Sequence, residues 1–220
     1  MHLLFFYFYA MMKKIFGSLL VMLTLFSCKE DDQTLPVVTL NGDSFVSIPL
    51  NGRYTEQGAS ATDIQDGALN VSISGTVNTG LEGQYAIRYT ATDAAGNTGE
   101  TIRVVSVLNQ AGYMKGSWAC TALSPGDTLN YNSQLSTSST INFRIWVQGF
   151  AGYAQSVVYA DISGDSIYIP KQPSLAGGDY HYMSGAGIIS QTDTLKITID
   201  YSDSLAGITT SGQARYVKSY

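Results

Sequence analysis

From Gln84 to Thr92 the side chains alternate in character with a period of two. Tyr85, Ile87, Tyr89 and Ala91 fall on one face, and Ala86, Arg88, Thr90 and Thr92 on the other. That is the repeat of a strand with one buried face, whereas a helix repeats every ~3.6 residues. The pattern recurs. Ile141, Phe143, Ile145 and Val147 oppose Asn142, Arg144 and Trp146; Leu195, Ile197, Ile199 and Tyr201 oppose Lys196, Thr198 and Asp200. No helical period interrupts the series, so the fold class expected is all-β. Composition agrees, since Gly, Ser, Thr and Tyr are plentiful while Glu and Lys are scarce.

The length of 220 residues leaves room for one large domain or two small ones. Composition shifts after Leu108. Glu is absent beyond Glu100, Tyr and Trp become frequent, and Asn109-Gln110-Ala111-Gly112 reads as a short polar joint. The expected units are therefore 37–108 and 112–220. In the first, Val37–Leu40, Phe45–Ile48, Leu69–Ser74, Gln84–Thr92 and Glu100–Leu108 are strand candidates, with a turn at Asp93–Asn97. They suggest a small antiparallel sandwich. In the second, strand candidates run from Ser117–Ala122 through Thr140–Gln148 to Gln213–Lys218. A meander of about eight strands closes most easily into a barrel, which removes exposed edges.

The N-terminal segment has a different character. Lys13 and Lys14 precede an apolar run from Ile15 to Phe26, and Leu25-Phe26-Ser27-Cys28 follows. The run has signal-peptide length and is short for a span. Leu25 to Cys28 resembles the lipobox of lipoprotein precursors, with Phe26 where a small residue is preferred. The resemblance implies a signal peptide at 1–28, lipidation of Cys28 and a lipid anchor in a membrane. The competing reading is an uncleaved anchor. Because a signal peptide begins with its positive residues, Met11 or Met12 is the expected start. Lys29-Glu30-Asp31-Asp32 resembles an acidic export signal that carries lipoproteins to the outer face of some Gram-negative bacteria. It also reads as the start of a solvated tether over 29–36. The expected place is the outer membrane, facing the exterior.

Two further resemblances lie in the folded units. Pro36-Val37-Val38-Thr39-Leu40-Asn41-Gly42, Tyr54 to Ala59, Ala61 to Gly67, Gly83-Gln84-Tyr85 and Tyr89 to Asn97 follow the order of a bacterial immunoglobulin-like domain. That family implies a β-sandwich spacer or adhesive module without catalysis. Glu56 departs from it, where Pro or Asp is usual, and is expected to touch only a turn. Gly116-Ser117-Trp118 and Arg215 resemble the ends of a lipocalin-like barrel, where a Trp plugs the base and an Arg packs across it. Gly185-Ala186-Gly187 is similar to a strand start of such barrels in surface lipoproteins.

Functional chemistry is sparse. The net charge is −5 and no basic run follows Lys14, which argues against nucleic acid. With Cys28 lipidated, Cys120 has no partner and reads as a small buried hydrophobe. His181 reads as a surface or packing residue, one His being too few for a metal centre. Asp63, Asp66 and Asp93 invite a calcium reading, opposed by plain turn chemistry beside Gly67 and Gly96. The carboxylates of the second unit are all Asp, at Asp127, Asp161, Asp165, Asp179, Asp193, Asp200 and Asp203, and most of these sit in apparent turns, so an acid–base pair is not expected. No cofactor is implied. Aromatic residues exceed what the core needs, and Trp146, Phe150, Tyr153, Tyr180 and Tyr182 are candidates for ligand binding, Phe150 and Tyr153 at an exposed loop tip. The reading is a non-enzymatic surface lipoprotein whose barrel binds a partner, a glycan by family context. The alternatives are a structural or adhesive accessory with a surface protein partner, and a hydrolase with an Asp-based site.

Overall fold

The computed structural model describes residues 31–219. The signal segment 1–28, the lipidation residue Cys28, and Lys29 and Glu30 of the export signal lie outside the described residues. Among the described residues no helix is long and apolar enough to cross a membrane.

The N-terminal unit is a two-sheet sandwich. Its strands are β1 (Val37–Leu40), β2 (Phe45–Pro49), β3 (Ala59–Asp63), β4 (Gly67–Leu69), β5 (Ser72–Ser74), β6 (Gly83–Thr92) and β7 (Thr98–Leu108). One sheet has the order β1-β3-β4 and the other β2-β7-β6-β5. Ile87, Tyr89 and Val105 are the buried centre, with Val38, Leu40, Val46, Ile48 and Val71 packed on them. Three details depart from the sequence reading. The segment Leu69–Ser74 divides between the two sheets. Residues 59–63, small and polar, form a strand that no apolar alternation announces. The third is that β2 pairs parallel to β7, Phe45 opposite Val104. Residues 41–44 carry the chain from one sheet to the other without a hairpin, so nothing forces β2 antiparallel.

Arg103 lies inside this sandwich, 1% exposed. Its guanidinium donates to the Asp43 carbonyl at 2.9 Å, the Tyr89 hydroxyl at 3.0 Å and the Asn41 carbonyl at 2.5 Å. Its counterion is Glu56. Glu56 therefore does more than touch a turn: a buried cation needs a charged partner, and this carboxylate supplies it.

The second unit is a closed barrel. Its strands are β8 (Gly116–Ser124), β9 (Asp127–Thr137), β10 (Arg144–Gln148), β11 (Val157–Ser163), β12 (Ser166–Ala176), β13 (Asp179–Gln191), β14 (Leu195–Leu205) and β15 (Ile208–Lys218). Each pairs antiparallel with its sequence neighbour, and β15 closes on β8. The interior is a packed core, filled by side chains such as Leu135, Ile145, Val158, Ile167, Ile169, Met183 and Ile197. Trp118 is buried at the base, where its Nε1 donates to the Met114 carbonyl at 3.0 Å. Arg215 does not pack across it; its side chain is exposed and bonds Gln213. Strand β10 begins only at Arg144. Ser138 Oγ accepts from the Ile141 amide at 3.1 Å, and Phe143 has φ 60°, so Ile141 and Phe143 belong to a turn. Strand β13 runs unbroken through Gly185-Ala186-Gly187, and a Cβ on Gly187 would stand 2.0 Å from the Thr198 carbonyl oxygen. Glycine is what allows β13 and β14 to approach there.

The joint between the units is fixed rather than free. Asn109 is buried, and its Nδ2 donates to the carbonyls of Ser138 at 2.8 Å and Ile141 at 2.9 Å. Its Oδ1 accepts from the amides of Ala111 and Phe143. Glu82 meets Lys115 at 2.7 Å, and its amide donates to Ser139. All these partners sit at the base of the barrel. The hairpins 125–126, 177–178 and 206–207 and the loop 149–156 form the opposite end, the mouth. The Asp93–Asn97 turn, beside the tether, is at the end of β6 away from the barrel.

Candidate functional site

The inward series of β14 does not stop at Tyr201. Two residues on, Asp203 also faces the lumen, and it is only 5% exposed. A buried carboxylate must be hydrogen-bonded. His181 on β13, 9% exposed, places Nδ1 2.7 Å from one Asp203 oxygen. The Tyr153 hydroxyl donates to the other at 3.0 Å. The Tyr153 and His181 rings lean together with centroids 5.5 Å apart. Burial and the Asp203 carboxylate push the Tyr153 hydroxyl up to about 12, so it remains a neutral donor. Each Asp203 oxygen keeps a lone pair for a further donor.

This cluster borders a cleft of about 620 Å³ at the mouth. Tyr153, Tyr201 and Leu129 supply apolar wall, while Asp127, Asp203, Thr209, Thr210 and Ser211 supply acceptors and hydroxyls. The loop beneath it is formed by left-handed residues at Gly149, Ala151 and Gly152. They turn the chain into the barrel instead of out from it. Phe150 is consequently fully buried, edge-on to Tyr201 at 5.6 Å, and is not at an exposed loop tip. It is part of the floor under Tyr153.

Of the five aromatic candidates, Tyr153 alone lines the cleft. Trp146 is exposed on the outer wall, edge-on to Tyr159 at 5.8 Å. Arg144 lies 4.0 Å from the Tyr159 ring centroid and forks onto Asp161 at 2.7 and 2.8 Å. Tyr180 and Tyr182 are exposed on the outer face of β13. Sequence reading missed Asp203 and His181 as a pair. The signal was the period of two itself, which carries 195, 197, 199 and 201 on to 203. Asp203 is in a strand, not a turn, and His181 is neither a surface group nor plain packing. Cys120 is buried as expected, and burial pushes its thiol up to about 12.

The comparisons with known proteins bear on the first unit. Residues 38–107 match the family model described as "Bacterial surface protein, Ig-like domain". The first unit is Ig-like in sequence as well as in fold. Among solved structures, a lipoprotein from Bacteroides thetaiotaomicron is 18% identical over 82% of this chain and 98% of its own, with a TM-score of 0.33. A Clostridium perfringens structure, a carbohydrate-binding module of ZmpB in complex with GlcNAc together with INT domains, is 16% identical with a TM-score of 0.28. The match covers 83% of this chain and 43% of that one. At these values neither likeness implies a shared function. No curated protein matches the chain.

The calcium candidates of the Ig-like domain divide. Asp66 is engaged elsewhere, accepting from the Ala94 amide at 2.7 Å. Asp63 and Asp93 come together, and the third carboxylate beside them is Asp32 from the tether.

Proposed function

We propose that this chain is a lipid-anchored surface protein that binds a polyhydroxylated ligand, such as the end of a glycan, in the mouth of its barrel. The observation that carries the reading is the Asp203 carboxylate, buried and oriented by Tyr153 and His181 at the edge of a cleft with aromatic walls and a hydroxyl-rich rim. Sugar rings present apolar faces to aromatic side chains and hydroxyls to carboxylates, and a preoriented acceptor loses little freedom on binding. The Asp203 oxygens, each engaged once and each with a lone pair to spare, suit the holding of a hydroxyl. The layout supports presentation at a surface. The Ig-like domain joins the barrel base, so the mouth opens away from residues 31–36 of the tether.

Affinity electrophoresis of the mature chain in gels containing soluble polysaccharides tests the proposal. Retardation by at least one polysaccharide, abolished by Asp203→Asn and kept by Trp146→Ala, is the expected result. Retardation lost with Trp146→Ala and kept in Asp203→Asn moves the site to the outer wall. Mobility unchanged by every polysaccharide, with a pull-down that recovers a surface protein, favours the accessory reading.

A further inference from the structure

We infer that the membrane-proximal end of the Ig-like domain is a calcium site that pins the tether to the fold. One carboxylate oxygen from each of Asp32, Asp63 and Asp93 lies within 4.8 Å of the other two. Calcium holds oxygen ligands at about 2.3–2.6 Å, so oxygens sharing one ion stand up to about 5 Å apart. The spacing is that of a shared ion. Three negative groups this close repel without a cation. None of the ion pairs among the described residues involves them.

The independent observation is Asp63. It is 8% exposed, and its Oδ1 is occupied by the amides of Gln65 at 2.7 Å and Asp66 at 3.1 Å. Its Oδ2 is fully buried and has no hydrogen-bond partner. An unsatisfied carboxylate oxygen is costly to bury, and a cation between it and its two acidic neighbours removes that cost. The tether is held in position for the third ligand. Asn97 Nδ2 donates both to Asp93 and to the Asp32 carbonyl, at 2.7 and 2.8 Å. Nearby, a Cβ on Gly99 would stand 1.9 Å from the Pro36 carbonyl oxygen, so the tether lies tight on β7. All-oxygen, carboxylate-rich coordination selects a hard cation, and three carboxylates favour calcium over a more hydrated, geometrically stricter magnesium. Asp32 is four residues past the proposed lipid attachment. A cation here adds a further hold on a tether already bonded to Asn97 and fixes the base of the stalk.

Calorimetric titration of CaCl2 into the EDTA-stripped mature chain tests this. One site is expected, with a dissociation constant of about 10⁻³ M or tighter, in the range of extracellular modules. Asp32→Asn weakens it about tenfold or more, because ligand charge sets affinity. That residue lies outside every strand, so circular dichroism of the variant stays that of the parent. Asp63→Asn weakens binding similarly, while Asp31→Asn leaves it unchanged. Calcium also slows proteolytic cleavage of the tether in the parent but not in Asp32→Asn. Absence of binding, equal loss in Asp31→Asn, or magnesium binding as tight as calcium overturns the inference.

Discussion

His181 Nδ1 and the Tyr153 hydroxyl hold the two oxygens of one buried carboxylate, that of Asp203, at 2.7 and 3.0 Å. Because both act through the same residue, their contributions are coupled. Tyr153→Phe and His181→Ala each lower stability by about 1–3 kcal/mol, the range for leaving a buried acceptor under-bonded. The double variant departs from the sum by about 0.5 kcal/mol or more, as residues in one hydrogen-bond network do. Urea denaturation of the four proteins measures it. Strict additivity would show that Asp203 is not their common partner.

The buried Arg103 makes the Ig-like domain sensitive to acid through Glu56. Burial alone raises the Glu56 carboxyl. Hydrogen bonds from Tyr54, Tyr89 and Gly58, with the Arg103 charge, overcome that and bring it from 4.5 down to about 2. A carboxyl lowered on folding contributes stability that is complete above its unfolded value. The contribution is therefore whole above pH 4.5 and is lost as the pH falls towards about 2. Glu56→Gln at neutral pH leaves the guanidinium without its counterion and costs about 3–5 kcal/mol. Thermal melts against pH should show a steep acid limb in the parent and a shallower one in Glu56→Gln. Parallel limbs would remove Glu56 from the account.

The parts of the molecule legible in the sequence are those where alternation is strong. Residues 83–92, 98–108 and 195–201 give their strands, faces and burial directly, because large apolar side chains mark one side. Strand β3 was hidden, since Ala61 and Asp63 turn inward with no large apolar group to mark the face. The cleft was hidden for a related reason. Asp203 breaks the apolar series in character while continuing it in direction, so composition suggests a turn where geometry keeps a strand. Phe150 misleads in the opposite sense: Gly149 and Gly152 look like a projecting loop, yet their positive φ folds the ring inwards. Long-range pairs such as Arg103 with Glu56, and the meeting of Asp32 with Asp63 and Asp93, depend on topology that no local pattern carries.

The joint offers a separate test of rigidity. Asn109 uses both ends of its side chain, donating to Ser138 and Ile141 and accepting from Ala111 and Phe143. Asn109→Ala strands these buried backbone groups and costs about 1–3 kcal/mol. It also frees the turn before β10 from the linker. Small-angle scattering should report a wider spread of interdomain distances in the variant, with the core of each unit unchanged by near-ultraviolet dichroism. Identical scattering curves would assign the fixed joint to the Glu82 contacts instead.

The proposed anchor can be tested at a single atom, because the structure disposes of the other candidate. The chain has two cysteines, Cys28 and Cys120. Cys120 points into the barrel, where its thiol is buried and, raised by that burial to about 12, is not a nucleophile at neutral pH. Lipid found on the protein must then sit on Cys28 or on the amine that cleavage there exposes. Cells grown on labelled palmitate should yield labelled protein in the membrane fraction. Cys28→Ala should abolish the label and release the protein from that fraction only if the apolar run is still cleaved; retained as an uncleaved anchor, it would stay membrane-bound but unlabelled. Cys120→Ala should keep the label in full. Label persisting in Cys28→Ala would reject the lipid anchor.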